Sequence, residues 1–183
     1  MYLHKEPKVT QPLIRVPEPD PNFVGPQSWL NYLNDGSSIC FYEDVHYYLS
    51  NFSAFALVLG GELWMTVEHA YQGLKFDPKR YSAIRSQIKD ALSAHEAKKL
   101  AYLCKDCIRP DWEAVKLDIM RGLIHAKIQQ HPYVQKKLLQ TGDAVLIENS
   151  HRDSFWGRGP DWQGMNHLGR IWMELRGELR KMK

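Results

Sequence analysis

Six of the ten prolines in this 183-residue chain fall within its first 26 positions, at Pro7, Pro12, Pro17, Pro19, Pro21 and Pro26. Each fixes its own φ and lacks an N–H, so this stretch can be neither continuous helix nor central strand. An extended, proline-rich arm over positions 1–36 is expected, dispensable for chemistry, ahead of one packed domain over 37–183 whose compact part starts near Trp29 or Ser37. After it comes no further Pro/Gly/Ser-rich linker, internal repeat or low-complexity tract. At this length, 44% hydrophobic residues with six tryptophans suffice for one core and leave no room for a second catalytic domain.

A net charge of +3 suits an anionic ligand but lacks the Lys/Arg stripe of a dedicated nucleic-acid binder. Cys40, Cys104 and Cys107 cannot all pair, and no apolar leader precedes the body, so a cytoplasmic protein is expected. The run "FALVLGG" ends at glycines far short of a membrane span.

Within the body, "SICFYED" reads as a short strand, and "FALVLGGELWMT" as a hairpin turning at Gly60-Gly61. From Thr66, apolar Val67, Ala70, Tyr71 and Leu74 recur at helical spacing, with Pro78 closing the segment. Ser93-Ala94-His95-Glu96 has the form of a capping box opening a helix to about Leu103. Asp111 starts a long helix with the face Trp112, Val115, Ile119, Leu123 and Ala126, ended by His131-Pro132, and a shorter helix runs from about Tyr133 to Gly142. "AVLIE" predicts a buried strand, and Asn166 caps a last helix striped by Leu168, Ile171, Trp172, Leu175 and Leu179. The expected fold is mainly α (α+β): a single compact multihelical domain with a few short strands.

Glu68, Gln72 and Lys75 form a second stripe beside the apolar one, where a pocket wall would lie. Glu68 is either an acid favoured by the dipole of the first helical turn or a site carboxylate, whose pKa that dipole would lower. The stretch "ENSHRDSFWGRG" offers Asp153 with Trp156 three residues on, either a turn with a core indole or an acid beside a surface for a sugar or flat heterocycle. Gly157 and Gly159 allow close backbone approach to a ligand, ahead of a helix N-terminus able to hold a phosphate. Cys104-Lys105-Asp106-Cys107 is a lone CxxC, and "EHAYQ" is not HExxH. Walker, GxSxG and Rossmann motifs are absent, so a carboxylate-centred site with no metal and no cofactor is expected.

As a set, these residues resemble the NADAR or YbiA-like family of N-glycosidases. The resemblance rests on "FYEDVHYYLSNFSAF", "WMTVEHAYQGLKF", "RPDWEAVKLDIMRGLIHAK" and "LLQTGDAVLIENSHRDSFWGRGPDWQGMNHLGRIWMELR", in the expected order over about residues 39 to 180. Tyr48 departs from it, standing where a glycine-like residue precedes the Leu-Ser-Asn-Phe segment. The resemblance implies cleavage of a ribosyl C–N bond, either in phosphorylated ribosylaminopyrimidine intermediates of riboflavin biosynthesis or in ADP-ribosylated guanine of nucleic acid. It implies site positions at Asn51, Phe52, Glu68, Lys75, Trp112, Asp153, Trp156 and Asn166. Glu68 and Asp153 would divide the proton transfer and the stabilisation of positive charge at the anomeric carbon, and Lys75 would act as an amine nucleophile or hold a phosphate. A non-catalytic ADP-ribose or nucleotide-binding module is the alternative reading.

Overall fold

The computed structural model describes residues 29–33 and 36–182, and the expectations for positions 1–28 lie outside the described residues. In chain order the regular elements are β1 (Ser38–Phe41), β2 (Leu57–Leu59), β3 (Glu62–Trp64), α1 (Val67–Gly73) and α2 (Ser82–Lys89). They continue with α3 (Ala94–Leu103), α4 (Trp112–Gln130), α5 (Pro132–Gln140), β4 (Val145–Glu148) and α6 (His167–Lys181). β2 and β3 make the expected hairpin, with Gly60 at φ 57° and Gly61 at φ 84° supplying the left-handed turn. β1 pairs with β4 in parallel, from Ser38 opposite Val145 to Phe41 opposite Glu148. Parallel pairing requires a crossover, and here the hairpin and five helices form it. Among the described residues no helix is long and apolar enough to cross a membrane.

Every residue of α1 is buried, because the helix threads between α2, α3 and α4. The main core gathers Phe41, Trp64, Val67, Leu123, Leu146 and Trp172, and a smaller cluster of Phe76, Ile88, Ala97 and Ala101 fills the space under α2 and α3. α1 stops at Gly73, short of the expected Pro78: the chain leaves it in tighter turns, with the Lys75 N–H on the Gln72 carbonyl at 3.3 Å and the Phe76 N–H on the Gly73 carbonyl at 3.2 Å, and that carbonyl also accepts from the Arg85 guanidinium at 3.2 Å. That interaction comes from α2, a helix the sequence pattern did not mark. The α6 stripe is buried as expected, whereas α4 turns Met120, Ile124, Lys127 and Ile128 inward and leaves Val115, Ile119 and Ala126 half-buried. The reason is its length, since α4 packs against α1 and also against α5 and α6. At α3, Ser93 accepts from the Glu96 N–H at 3.1 Å, but the Glu96 carboxylate reaches back one residue further than expected, to the Leu92 N–H at 2.7 Å.

Candidate active site

Thr66 caps α1, accepting the His69 N–H at 3.2 Å, and the next free N–H, that of Glu68, is taken by the Asn51 carbonyl at 3.0 Å. The loop that bears Asn51 is pinned from behind. Lys127 donates to the Ser50 carbonyl at 2.9 Å and to the Ser53 hydroxyl at 2.6 Å, and the Trp172 indole donates to the Leu49 carbonyl at 3.0 Å. The Gln72 amide, one turn along α1, donates to Glu68 Oε1 at 2.7 Å. Glu68 is 5% exposed, and burial raises its pKa against the pull of the Gln72 hydrogen bond, Lys98 and Lys75. This overturns the lowering expected from the helix dipole: loss of water outweighs a partial charge at a helix end.

The same helix builds an aromatic box. The Tyr71 ring lies 4.9 Å from Trp112 and 5.6 Å from Trp156, edge to face with the latter. Lys75 stands in the turn just after α1 rather than within the helix, yet its ammonium reaches 5.3 Å from the Tyr71 ring and 5.6 Å from Trp112. Burial lowers the Lys75 pKa, while Glu68 holds it up. Tyr71, which its spacing assigned to the core, therefore forms a wall shared by both halves of the site.

β4 and its following loop supply the other half. Glu148, the last residue of β4, has its Oε2 buried without a partner among the described residues. Burial, reinforced by the Asp153 and Glu68 carboxylates, pushes its carboxyl up to about 8. Glu148 is the acid that the motif-based assignment leaves out; an acid ending an apolar strand was the available signal. The Asp153 carboxylate turns the chain by accepting the Phe155 N–H at 2.9 Å and the Trp156 N–H at 2.7 Å, which aims Trp156 at Tyr71.

Three expected ligand contacts have other tasks. The Gly157 N–H donates to the Asp153 carbonyl, and the Gly159 N–H to the Ser150 and Asp153 carbonyls, so neither is free for a phosphate. A Cβ at Gly157 would come within 2.8 Å of Ser150 Cβ, so that glycine seats the loop on the end of β4. Asn166 precedes α6 in the left-handed region, at φ 49°, with no capping bond from its side chain. Its Oδ1 accepts the Glu148 N–H and its Nδ2 donates to the Leu146 carbonyl, both at 2.9 Å, so it fixes β4.

Phe52 lies 4.8 Å from the His95 ring with the Lys98 ammonium 5.8 Å from its own centroid. Beyond it opens a cavity of about 570 Å³ lined by Glu43, Tyr47, Phe52, Met65, Leu92 and His95, among others. None of the three carboxyls Glu68, Glu148 and Asp153 lines this cavity; Lys98 and Glu43, whose charges act on Glu148, link the two regions. Cys104 and Cys107 border a single 3-10 turn, and no cluster among the described residues is placed to hold a metal ion.

The NADAR domain family model matches residues 40–180. The chain is 41% identical over 133 residues to an N-glycosidase of Nostoc punctiforme, covering 73% of this chain and 85% of that protein. It is 37% identical over 145 residues to a riboflavin biosynthesis protein of Vibrio vulnificus, which is 78% of this chain but 39% of the relative's length. The NMR structure of the Escherichia coli protein YbiA matches with a TM-score of 0.70 at 35% identity, covering 79% of this chain and 85% of that one. The buried Glu68 helix, the Asp153–Trp156 turn and a family match spanning nearly all of the packed body lead to one conclusion: the chain belongs to the NADAR family.

Proposed function

We propose that this protein is an N-glycosidase that hydrolyses the ribosyl C–N bond of a phosphorylated ribosylaminopyrimidine, in the cytoplasm, with an acid, a carboxylate and water sufficing for the chemistry. The observation that carries this reading is a centre of three carboxyls with unlike surroundings, beside an aromatic wall. Glu148, at about 8, keeps its proton at neutral pH. It gives that proton to the departing nitrogen as the C–N bond breaks. The cationic anomeric carbon is met by Asp153, with Glu68 beside it, and water adds there while its released proton restores Glu148. Tyr71, Trp112 and Trp156 offer stacking area for the base. Buried Asn51 Oδ1 and Gln72 Oε1, unpartnered among the described residues, suit donors on a sugar or an amino group.

The N-glycosidase name of the Nostoc relative supports the reaction, and the riboflavin name of the Vibrio relative supports the substrate class. The test is incubation with a ribosylaminopyrimidine phosphate and, separately, with DNA bearing ADP-ribosylated guanine. Release of free base and sugar from the first is expected; release only from the second moves the substrate to modified nucleic acid. Saturable binding with no release from either would make the chain a nucleotide-binding module.

A further inference from the structure

We infer that Trp29, which lies outside the residues matched by the family model, is a positioning residue that clamps the loop carrying Asp153 against the carboxyl centre. Trp29 is 4% exposed although it sits in the segment set apart as an arm. Its backbone N–H donates to the Trp162 carbonyl at 2.9 Å and its indole N–H to the Gly164 carbonyl at 2.7 Å. The Arg170 guanidinium lies 5.7 Å from its ring, so α6 backs it.

The atoms it grips belong to a strained stretch. Trp162 has φ 65°, a left-handed conformation that is strained for a bulky residue and persists only where neighbours enforce it. The Arg158 guanidinium stacks 4.0 Å above the Trp162 ring and donates through Nε to Asn149 Oδ1 at 2.7 Å. The Arg158 N–H donates to the Glu148 carbonyl at 3.0 Å, and its carbonyl accepts the Gly164 N–H at 2.8 Å. A continuous set of contacts thus runs from Trp29 through Trp162, Gly164 and Arg158 to the residue that ends β4. Trp29 touches no reacting group; it acts by holding that loop shut. Its consequence for turnover rests on the N-glycosidase reading, whereas the clamp itself does not.

The test uses the full chain with Trp29→Phe, which keeps a ring but loses the indole donor, and Trp29→Ala. Amide hydrogen exchange read by mass spectrometry should quicken by roughly tenfold over residues 153–166 in Trp29→Ala, less in Trp29→Phe, with α4 unchanged. Turnover should fall mainly through kcat, and its alkaline limb should move to lower pH as water reaches Glu148. Unchanged exchange over 153–166 in either folded variant overturns the clamp. So does a uniform rise that includes α4, which would make Trp29 a general contributor to stability. Should wild-type protein turn over no ribosylamine, the exchange comparison still decides the clamp by itself.

Discussion

Glu148 and Glu68 carry the same functional group, and their proton affinities are set by what surrounds each: low polarity for both, a hydrogen-bonding amide for Glu68, two neighbouring carboxylates for Glu148. Glu148→Gln, Glu68→Gln and Asp153→Asn are each expected to lower kcat at neutral pH by ~100-fold or more, the usual scale for a positioned acid or base. A near-normal rate in any of the three, in a folded protein, removes that residue from the mechanism. The pH dependence has a definite sign. A donor with a pKa of about 8 is protonated below that value, so wild-type kcat should hold at neutral pH and decline above about 8, and Glu148→Gln should lack this limb. Lys75 invites a covalent test, because burial lowers its pKa while Glu68 holds it up, and an amine can displace the ribosyl nitrogen to give an imine that water hydrolyses. Because water adds directly at the anomeric carbon in the proposed reaction, borohydride added during turnover should leave Lys75 unmodified by peptide mass and Lys75→Arg should stay active, with the lysine acting electrostatically over Tyr71 and Trp112. A reduced ribosyl adduct on Lys75 would replace direct hydrolysis with a route through an imine.

At the scale of elements, the site depends on how α6 seats against β4. Gly169 makes this possible, since a Cβ there would collide with the Leu146 carbonyl and the Asn166 carboxamide. Gly169→Ala should push α6 off the strand, break the Asn166 bonds that hold Glu148, and cost about 1–3 kcal/mol, a fall of several degrees in Tm by calorimetry. An unchanged Tm would mean that the interface yields without loss. The elements themselves were unevenly legible. The hairpin, α4, α5 and α6 follow from turn chemistry and 3.6-residue periodicity. α2 carries little local signal because it is only 8 residues long and opens without a side-chain cap, and α1 ends before Pro78 because its last turn tightens into bonds such as that of the Phe76 N–H to the Gly73 carbonyl, which the apolar spacing does not mark.

Across the whole molecule, Lys127 links stability to pH. It is 0% exposed, and among the described residues no carboxylate is one of its hydrogen-bond partners. Burial lowers its pKa well below 10.5. Below 10.5 the unfolded chain takes up a proton that the folded lysine resists, so wild-type stability should rise with pH toward that value and fall as pH drops. Lys127→Met should lose this slope, and its Tm should gain on the wild type as pH is lowered from about 10 to about 6. Parallel curves would show that Lys127 keeps its proton in the fold. The sequence by itself determined the α6 stripe, the Gly60-Gly61 turn and the placement of Asp153 three residues before Trp156, because these depend on neighbours within a few residues. Only the tertiary structure decided that β1 pairs with β4, that Trp29 belongs to the packed body, that Asn166 serves a strand, and that Glu148 joins Glu68 and Asp153. Those outcomes turn on burial and on charges brought from distant parts of the chain, and proton affinity answers to surroundings in space, which local spacing does not specify.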